Sequence, residues 1–197
     1  MYATLITYMP EERNLGAIAQ VSRNKGYATG RDEGAEKTLR FCMKAGHLSV
    51  LEFAQIVYRI ECPIYVARQL MRYRTASYIE RSLRYCEPDP ADWMKRAEDP
   101  EFVNTRESDI LYHEECCQNL YHDLIAKGMK KETARAVLPL STSTVFLMRI
   151  DLRNLLHIFD ERLTPYCQQE TREIVTQMKE IATECFPIVM EEYDANH

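Results

Sequence analysis

A strand-forming run that ends against a proline constrains this fold more than any other local feature. Phe53 to Ile60 is rich in valine, isoleucine and aromatics and alternates as a strand does, and Pro63 then stands where the first turn of a helix over Ile64 to Met71 would begin. Proline lacks the N–H that a ladder needs, but its fixed φ suits a helix start. The chain must therefore pass from sheet to helix within a few residues. Leu5 to Tyr8, before Pro10, predicts a short strand, and Leu15 to Val21 and Glu33 to Ala45 have helical spacing. Leu39, Cys42 and Met43 form the apolar face of the second helix, and Gly46 stops it. Asp89 to Asp99 is a connector with one helical turn at Trp93-Met94, and Glu107 to Lys127 is a long amphipathic helix. Its apolar face carries Ile110, His113, Cys117, Leu120 and Leu124, with Gly128 as the stop. Glu132 to Leu138 is a short helix ended by Pro139, Thr144 to Ile150 is β-rich, and Asp151 to Arg162 and Thr164 to Phe186 are helical. Pro187 is expected to break the last helix before a frayed acidic tail. The fold class is α+β, helix-dominated, with a small mixed or antiparallel sheet. No repeat, low-complexity run or Gly/Ser linker divides it, so residues 1–197 are expected to form a single domain.

Composition narrows the function. With 197 residues and 46% hydrophobic content the chain can bury a core, and no apolar stretch is long enough to span a membrane. The start, Met1-Tyr2-Ala3-Thr4, lacks the pattern of a secretory signal, and seven cysteines without framework spacing argue for reduced thiols, so a cytoplasmic protein is expected. A net charge of −5 argues against a general nucleic-acid binder. Against that negative balance, Arg68 to Tyr85 holds five arginines and one carboxylate, Glu80. A solvated helix face interleaves both signs, whereas this segment offers guanidinium forks suited to phosphate. Arg68 and Arg72, at i and i+4, are expected to converge from one helix face with Gln69 alongside. The competing explanation is a structural segment salt-bridged to acids elsewhere in the chain.

The order of residues in the segment decides between these. Arg72-Tyr73-Arg74 is followed in register by Ser77, Glu80, Ser82, Arg84 and Tyr85, and is preceded by Pro63-Ile64-Tyr65-Val66-Ala67-Arg68-Gln69. Gly46-His47 with Ser49 and Glu52 forms a second block, and Ala134 to Leu140 with Arg153 and Arg162 a third. Together with Ser22 these blocks resemble the flavin-dependent thymidylate synthases, whose signature runs Arg-His-Arg and then Ser after seven residues. The resemblance spans about residue 20 to about residue 165.

The resemblance implies reductive methylation of dUMP at C5 to dTMP, with FAD as cofactor and methylenetetrahydrofolate and NADPH as co-substrates. It places Gln69, Arg72, Glu80, Arg81, Ser82, Leu83, Arg84, Arg135 and Arg162 in the nucleotide site. Ser22, His47, Ser49, Arg72, Tyr73, Arg74, Glu80, Asp151, Arg153 and His157 fall to the flavin, and Glu52 caps or orients. Arg162 is the catalytic candidate, because a guanidinium against the N3/O4 edge stabilises charge that must develop there before C5 can act as a nucleophile. A helix C-terminal arginine offsetting the macrodipole is the structural alternative. The resemblance also implies a homotetramer with sites shared between chains. Five positions depart from the family pattern. Tyr73 stands for the signature histidine, Ile79 for an asparagine, Leu83 for a frequent glycine, and Asp151 and His157 for asparagines. Tyrosine can stack as histidine does, whereas Leu83 would shift a phosphate loop built on glycine, and Arg153 could neutralise Asp151.

Other chemistries are weaker. Ser82 has no His-Asp arrangement near it in sequence, so phosphate donor is its better role. None of the cysteines sits as in the cysteine-dependent thymidylate synthases; in the flavin family, hydride from reduced flavin removes that need. His113, Cys116, Cys117 and His122 share a helix, but without the loop-borne spacing of a zinc site, and no metal is expected. Two alternatives remain: C5 methylation of another uridine nucleotide such as UMP, and a flavin- or nucleotide-binding relative without turnover.

Overall fold

The computed structural model describes residues 1–21, 34–88 and 107–196; Ser22 and the connector expected over Asp89 to Asp99 lie outside the described residues. The described elements run β1 (Tyr2–Met9), α1 (Glu12–Gln20), α2 (Ala35–Lys44), a 3-10 turn (Leu48–Phe53), β2 (Gln55–Pro63) and α3 (Ile64–Leu70). They continue with β3 (Ser77–Glu80), α4 (Glu107–Ala126), α5 (Lys131–Ala134) with a 3-10 extension (Arg135–Val137), and β4 (Ser143–Asp151). Helices α6 (Leu152–Arg162), α7 (Gln169–Cys185) and α8 (Pro187–Asp194) complete the order. The architecture is helix-dominated α+β, with a small antiparallel sheet in the order β1-β2-β4-β3. Period-two burial gives the strands their inner face, with Ile56, Tyr58 and Ile60 buried on β2 and Thr144, Phe146, Met148 and Ile150 on β4.

The chain packs as two compact units, and β2, β3 and β4 each contribute residues to both. The first comprises the described residues of Met1–Ile60, Met71–Ile79 and Leu147–His197. Leu15, Leu39, Leu51, Ile56, Tyr58, Ile158, Phe159, Ile174, Met178 and Phe186 are all buried in it. Tyr58 donates its hydroxyl to the Met178 carbonyl at 3.0 Å, and burial pushes that phenol well above its ordinary pKa, so it stays a donor. Helix α1 packs on α2, and Gly16 stands at their approach: a Cβ there would lie 1.9 Å from the Ala35 carbonyl oxygen.

The C-terminal expectation holds for the break, since α7 ends at Cys185, and is corrected for the tail. Pro187 starts α8 rather than ending order, and Val189, Met190, Glu192 and Tyr193 of that helix are buried. Proline is tolerated at a first turn, and the next N–H groups find an acceptor far away in sequence. Glu12 accepts from Ile188 N at 3.0 Å and from Val189 N at 2.8 Å. Burial raises the Glu12 pKa, and these two backbone donors oppose the rise. The acidic tail is likewise held, because Arg40 bonds Glu192 at 3.0 Å and Glu191 at 2.8 Å. Glu12→Ala leaves two helix-start N–H groups without their acceptor and should lower stability by about 1–3 kcal/mol in urea unfolding. Glu12→Gln keeps one acceptor oxygen and should lose less; an Ala variant as stable as wild type would show the cap to be dispensable.

The second unit comprises the described residues of Glu61–Leu70 and Glu80–Phe146. Val66, Leu70, Tyr121, Ala134 and Phe146 are buried in it. The strand-to-helix passage at Pro63 is present, with Pro63 closing β2 and α3 beginning at Ile64. Its first N–H groups are satisfied by the segment before β4: Ile64 N donates to Thr142 O at 3.0 Å and Tyr65 N to Leu140 O at 3.2 Å. The expected apolar face of α4 is not the buried one. Ile110 and Leu120 are exposed, whereas Glu114 and the i+7 residue Tyr121 are buried. Among the described residues of this unit α4 packs mainly against the short α5 and its 3-10 extension, and Glu114 and Tyr121 mark the covered stripe.

Candidate active site

Three clusters hold the residues singled out by sequence, two in the first unit and one in the second. The first surrounds Tyr73. Helix α3 ends at Leu70, so Arg72 lies in the following turn and the helical i,i+4 relation expected for Arg68 and Arg72 does not hold. The Tyr73 carbonyl serves the turn instead, accepting from Ala76 N at 3.1 Å and from the Tyr78 hydroxyl at 3.0 Å. The Tyr73 hydroxyl donates to Glu161 Oε2 at 2.6 Å and accepts from Arg162 Nε at 2.7 Å. The Arg162 guanidinium carbon also stands 5.4 Å from the Tyr73 ring centroid, within cation–π range. His157 presents an edge to the same ring at 6.5 Å and its Nε2 lies 3.3 Å from Glu161. Burial and the neighbouring Glu161 carboxylate push Tyr73 up to about 12, against the opposing pull of Arg162, so the phenol stays protonated at neutral pH.

On the same helix, Asp151 is the N-cap: it accepts from Asn154 N at 2.9 Å and from Asn154 Nδ2 at 2.6 Å. The suggestion that Arg153 neutralises Asp151 is corrected, since Arg153 pairs with Glu52. Asp151 is satisfied by its own helix start, and that leaves Arg153 for the acid of the 3-10 turn. Arg72 and Arg74 are exposed and form no ion pair among the described residues.

The second cluster is a cavity of about 510 Å³ lined by residues including Thr38, Phe41, Cys42, His47, Ser49 and Phe53. Gly46, at φ 69°, gives α2 a left-handed stop in which His47 N bonds Cys42 O at 2.8 Å and Gly46 N bonds Met43 O at 3.2 Å. This turn aims the following segment, so that His47 and Ser49 share the cavity wall. Phe41 and Phe53, which sequence reasoning missed, are 51% and 62% exposed and offer ring faces beside them. Their large exposure beside a histidine and a serine is visible only in three dimensions.

The third cluster, in the second unit, is a cavity of about 440 Å³ lined by Arg68, Leu83, Glu132 and Arg135 with apolar residues of α3 and the Leu138-Pro139-Leu140 segment. Ser82 turns the chain, its carbonyl accepting from Tyr85 N and Cys86 N at 3.0 Å and its Oγ from Arg84 N at 3.3 Å. The cations of this segment do not all lack acids, which corrects that expectation. Arg84 Nε bonds Glu132 Oε2 at 2.8 Å, and Arg135 Nε bonds the Glu132 carbonyl at 3.2 Å. Arg81 is directed to the sheet, donating to Ser143 O at 3.0 Å, and Glu80 accepts from Thr144 Oγ1 at 2.7 Å. Glu132 was missed because it follows the segment by 48 residues.

Phosphate-suited cations, a cavity with exposed aromatics and an arginine oriented by a phenol are what binding and polarising a nucleotide ring require. Comparison with known proteins gives the family. The family model described as thymidylate synthase complementing protein matches residues 4–188. The chain belongs to that family. A flavin-dependent thymidylate synthase of Thermus thermophilus is 32% identical over 95% of this chain and 73% of its own. One from Synechocystis is 31% identical over 78% of this chain and 77% of its own. Among solved structures, a UMP/dUMP methylase, PolB from Streptomyces cacaoi, bound with 5-Br dUMP, superposes with a TM-score of 0.79 at 25% identity, covering 98% of this chain and 94% of that one. The thymidylate synthase complementing family is one of methyltransferase enzymes, and no helix among the described residues is long and apolar enough to cross a membrane.

Proposed function

We propose that this chain methylates dUMP at C5 to give dTMP, with FAD as cofactor and methylenetetrahydrofolate and NADPH as co-substrates. The single observation that carries the reading is the placement of Arg162, held by Tyr73 through its Nε while its terminal nitrogens form no hydrogen bond among the described residues. A guanidinium so presented can face the N3/O4 edge of a uracil and stabilise the charge that makes C5 nucleophilic. Burial alone would lower the Arg162 pKa, but the Tyr73 hydrogen bond together with the charges of Tyr73, Cys167 and Glu161 raises it above its ordinary value, so the cation is permanent. Gln69, Arg72, Ser82, Arg84 and Arg135 bind the nucleotide and its phosphate, with Glu80, Arg81 and Leu83 shaping that loop.

The residues present fit a flavin. The cavity beside His47 and Ser49 lies in the size range of small-molecule sites, its exposed Phe41 and Phe53 rings suit a planar heterocycle, and Arg72 and Arg74 are available to a pyrophosphate. Ser22, Tyr73, Asp151, Arg153 and His157 complete the proposed flavin set. A bound flavin supplies hydride chemistry that would otherwise require a protein nucleophile. The chain acts, on this reading, as one domain within a cytoplasmic homotetramer whose sites are shared between chains.

Incubation with excess FAD should give protein with flavin absorbance and quenched flavin fluorescence, and NADPH should bleach it. Arg74→Ala should weaken FAD more than dUMP; equal weakening would remove Arg74 from the flavin set. UMP has to be assayed beside dUMP, because the solved neighbour is a UMP/dUMP methylase. Faster product formation from UMP would replace the deoxyribonucleotide as substrate and keep the chemistry.

A further inference from the structure

At the position of the signature histidine this chain carries a residue whose polar atom is spent on other side chains. The Tyr73 hydroxyl bridges Glu161 and Arg162 at 2.6 and 2.7 Å, and the ring lies under the guanidinium at 5.4 Å. The tyrosine backbone is in turn fixed by Tyr78. A hydrogen bond fixes direction and a ring face fixes height, so the two contacts together leave the planar guanidinium little freedom. We infer that Tyr73 is a positioning residue for catalysis, the centre of a Glu161–Tyr73–Arg162 relay that aims the terminal nitrogens of Arg162 at the uracil N3/O4 edge. This rests on the reading of Arg162 given under the proposed function.

The relay has a chemical logic. A protonated phenol donates one hydrogen bond and accepts another, so it can join a carboxylate and a guanidinium in series. Glu161 draws on the phenol proton, which makes the oxygen a better acceptor for Arg162 Nε. Because Nε is the nitrogen consumed, the forked end of the guanidinium remains for the nucleotide. Misplacement of a charge-stabilising donor is felt in the rate more than in binding. His157, edge-on to the ring and beside Glu161, supports the carboxylate end.

The test compares Tyr73→Phe with wild type as holoenzyme. Loss of the hydroxyl should lower kcat for C5 methylation by about 10- to 100-fold while KM for dUMP moves by less than about threefold. A second readout avoids turnover: 5-fluoro-dUMP, whose N3 proton is unusually acidic, shows its ionisation in the ultraviolet difference spectrum. Wild type should bind it as the anion at a pH where the free nucleotide is still largely protonated, and Tyr73→Phe should return it toward the free behaviour. In an Arg162→Ala background Tyr73→Phe should have no further spectral effect, because the tyrosine acts through the arginine. Thermal unfolding and FAD absorbance report whether Tyr73→Phe is folded; should it not be, Glu161→Gln carries the same test with both contacting side chains intact. Wild-type kcat and wild-type 5-fluoro-dUMP ionisation in folded Tyr73→Phe, alongside an impaired Arg162→Ala, would overturn the relay and leave the proposed function standing. Full turnover by Arg162→Ala would overturn both.

Discussion

Arg162→Ala should retain its flavin and its reduction by NADPH, yet lose methylated product and tritium release from C5-labelled dUMP by about 100- to 1,000-fold. The size follows from what is removed. A donor that strengthens as charge develops contributes to the transition state, so its deletion falls on kcat even at saturating nucleotide. Arg84 gives the contrast: its side chain is 54% exposed and paired with a 39%-exposed Glu132, and such exposed contacts are worth about 0.2–1 kcal/mol each. Arg84→Ala should therefore raise the nucleotide requirement and keep slow turnover at high dUMP. Near wild-type turnover by Arg162→Ala at saturating dUMP would return this residue to the role of a helix-end cation.

Gly16→Ala should destabilise the protein even though alanine is the better helix former by about 1 kcal/mol. The added Cβ would sit 1.9 Å from the Ala35 carbonyl oxygen and 2.4 Å from its carbon, both backbone atoms that cannot rotate aside. Overpacking of this kind costs about 1–3 kcal/mol, and Gly16→Val, with two further methyls and restricted χ1, should cost more than Gly16→Ala. Urea unfolding measures it, through a lower midpoint at unchanged slope. If Gly16→Ala matched or exceeded wild type, α1 and α2 would have to be free to separate without loss.

Much of this was legible because the signals are local. Asp151 at a helix start and Gly46 at a helix end each act within a turn of themselves, and the structure has both in those roles, whereas Pro63, expected in the first turn of a helix, is the last residue of β2 with the helix beginning at Ile64. The arginine segment was legible as chemistry because its residue order is family-specific. Most of the failures trace to a partner distant in sequence. The tail after Pro187 was expected to fray because the first N–H groups of its helix are capped by Glu12, 176 residues away from Ile188. The tie between Tyr73 and Arg162 was not foreseen, because the two stand 89 residues apart. Leu48–Phe53 forms a 3-10 turn, which claims Phe53 from the expected strand; its short span carries no period to read. Ile110 and Leu120 were assigned to a buried face by spacing alone, whereas burial on α4 follows what packs against it.

The Glu12 cap makes the two ends of the chain one proton-linked system. Burial opposes ionisation of the Glu12 carboxyl, and the Ile188 and Val189 N–H groups of the last helix favour it without cancelling the rise. The folded pKa still stands above the ordinary 4.5, so the folded state binds that proton more tightly than the unfolded state does. Stability contributed by that proton is present at low pH and is lost as pH rises through the folded pKa. Through this one carboxyl, a contact between the last helix and the first makes mild acid favour the folded state and rising pH oppose it.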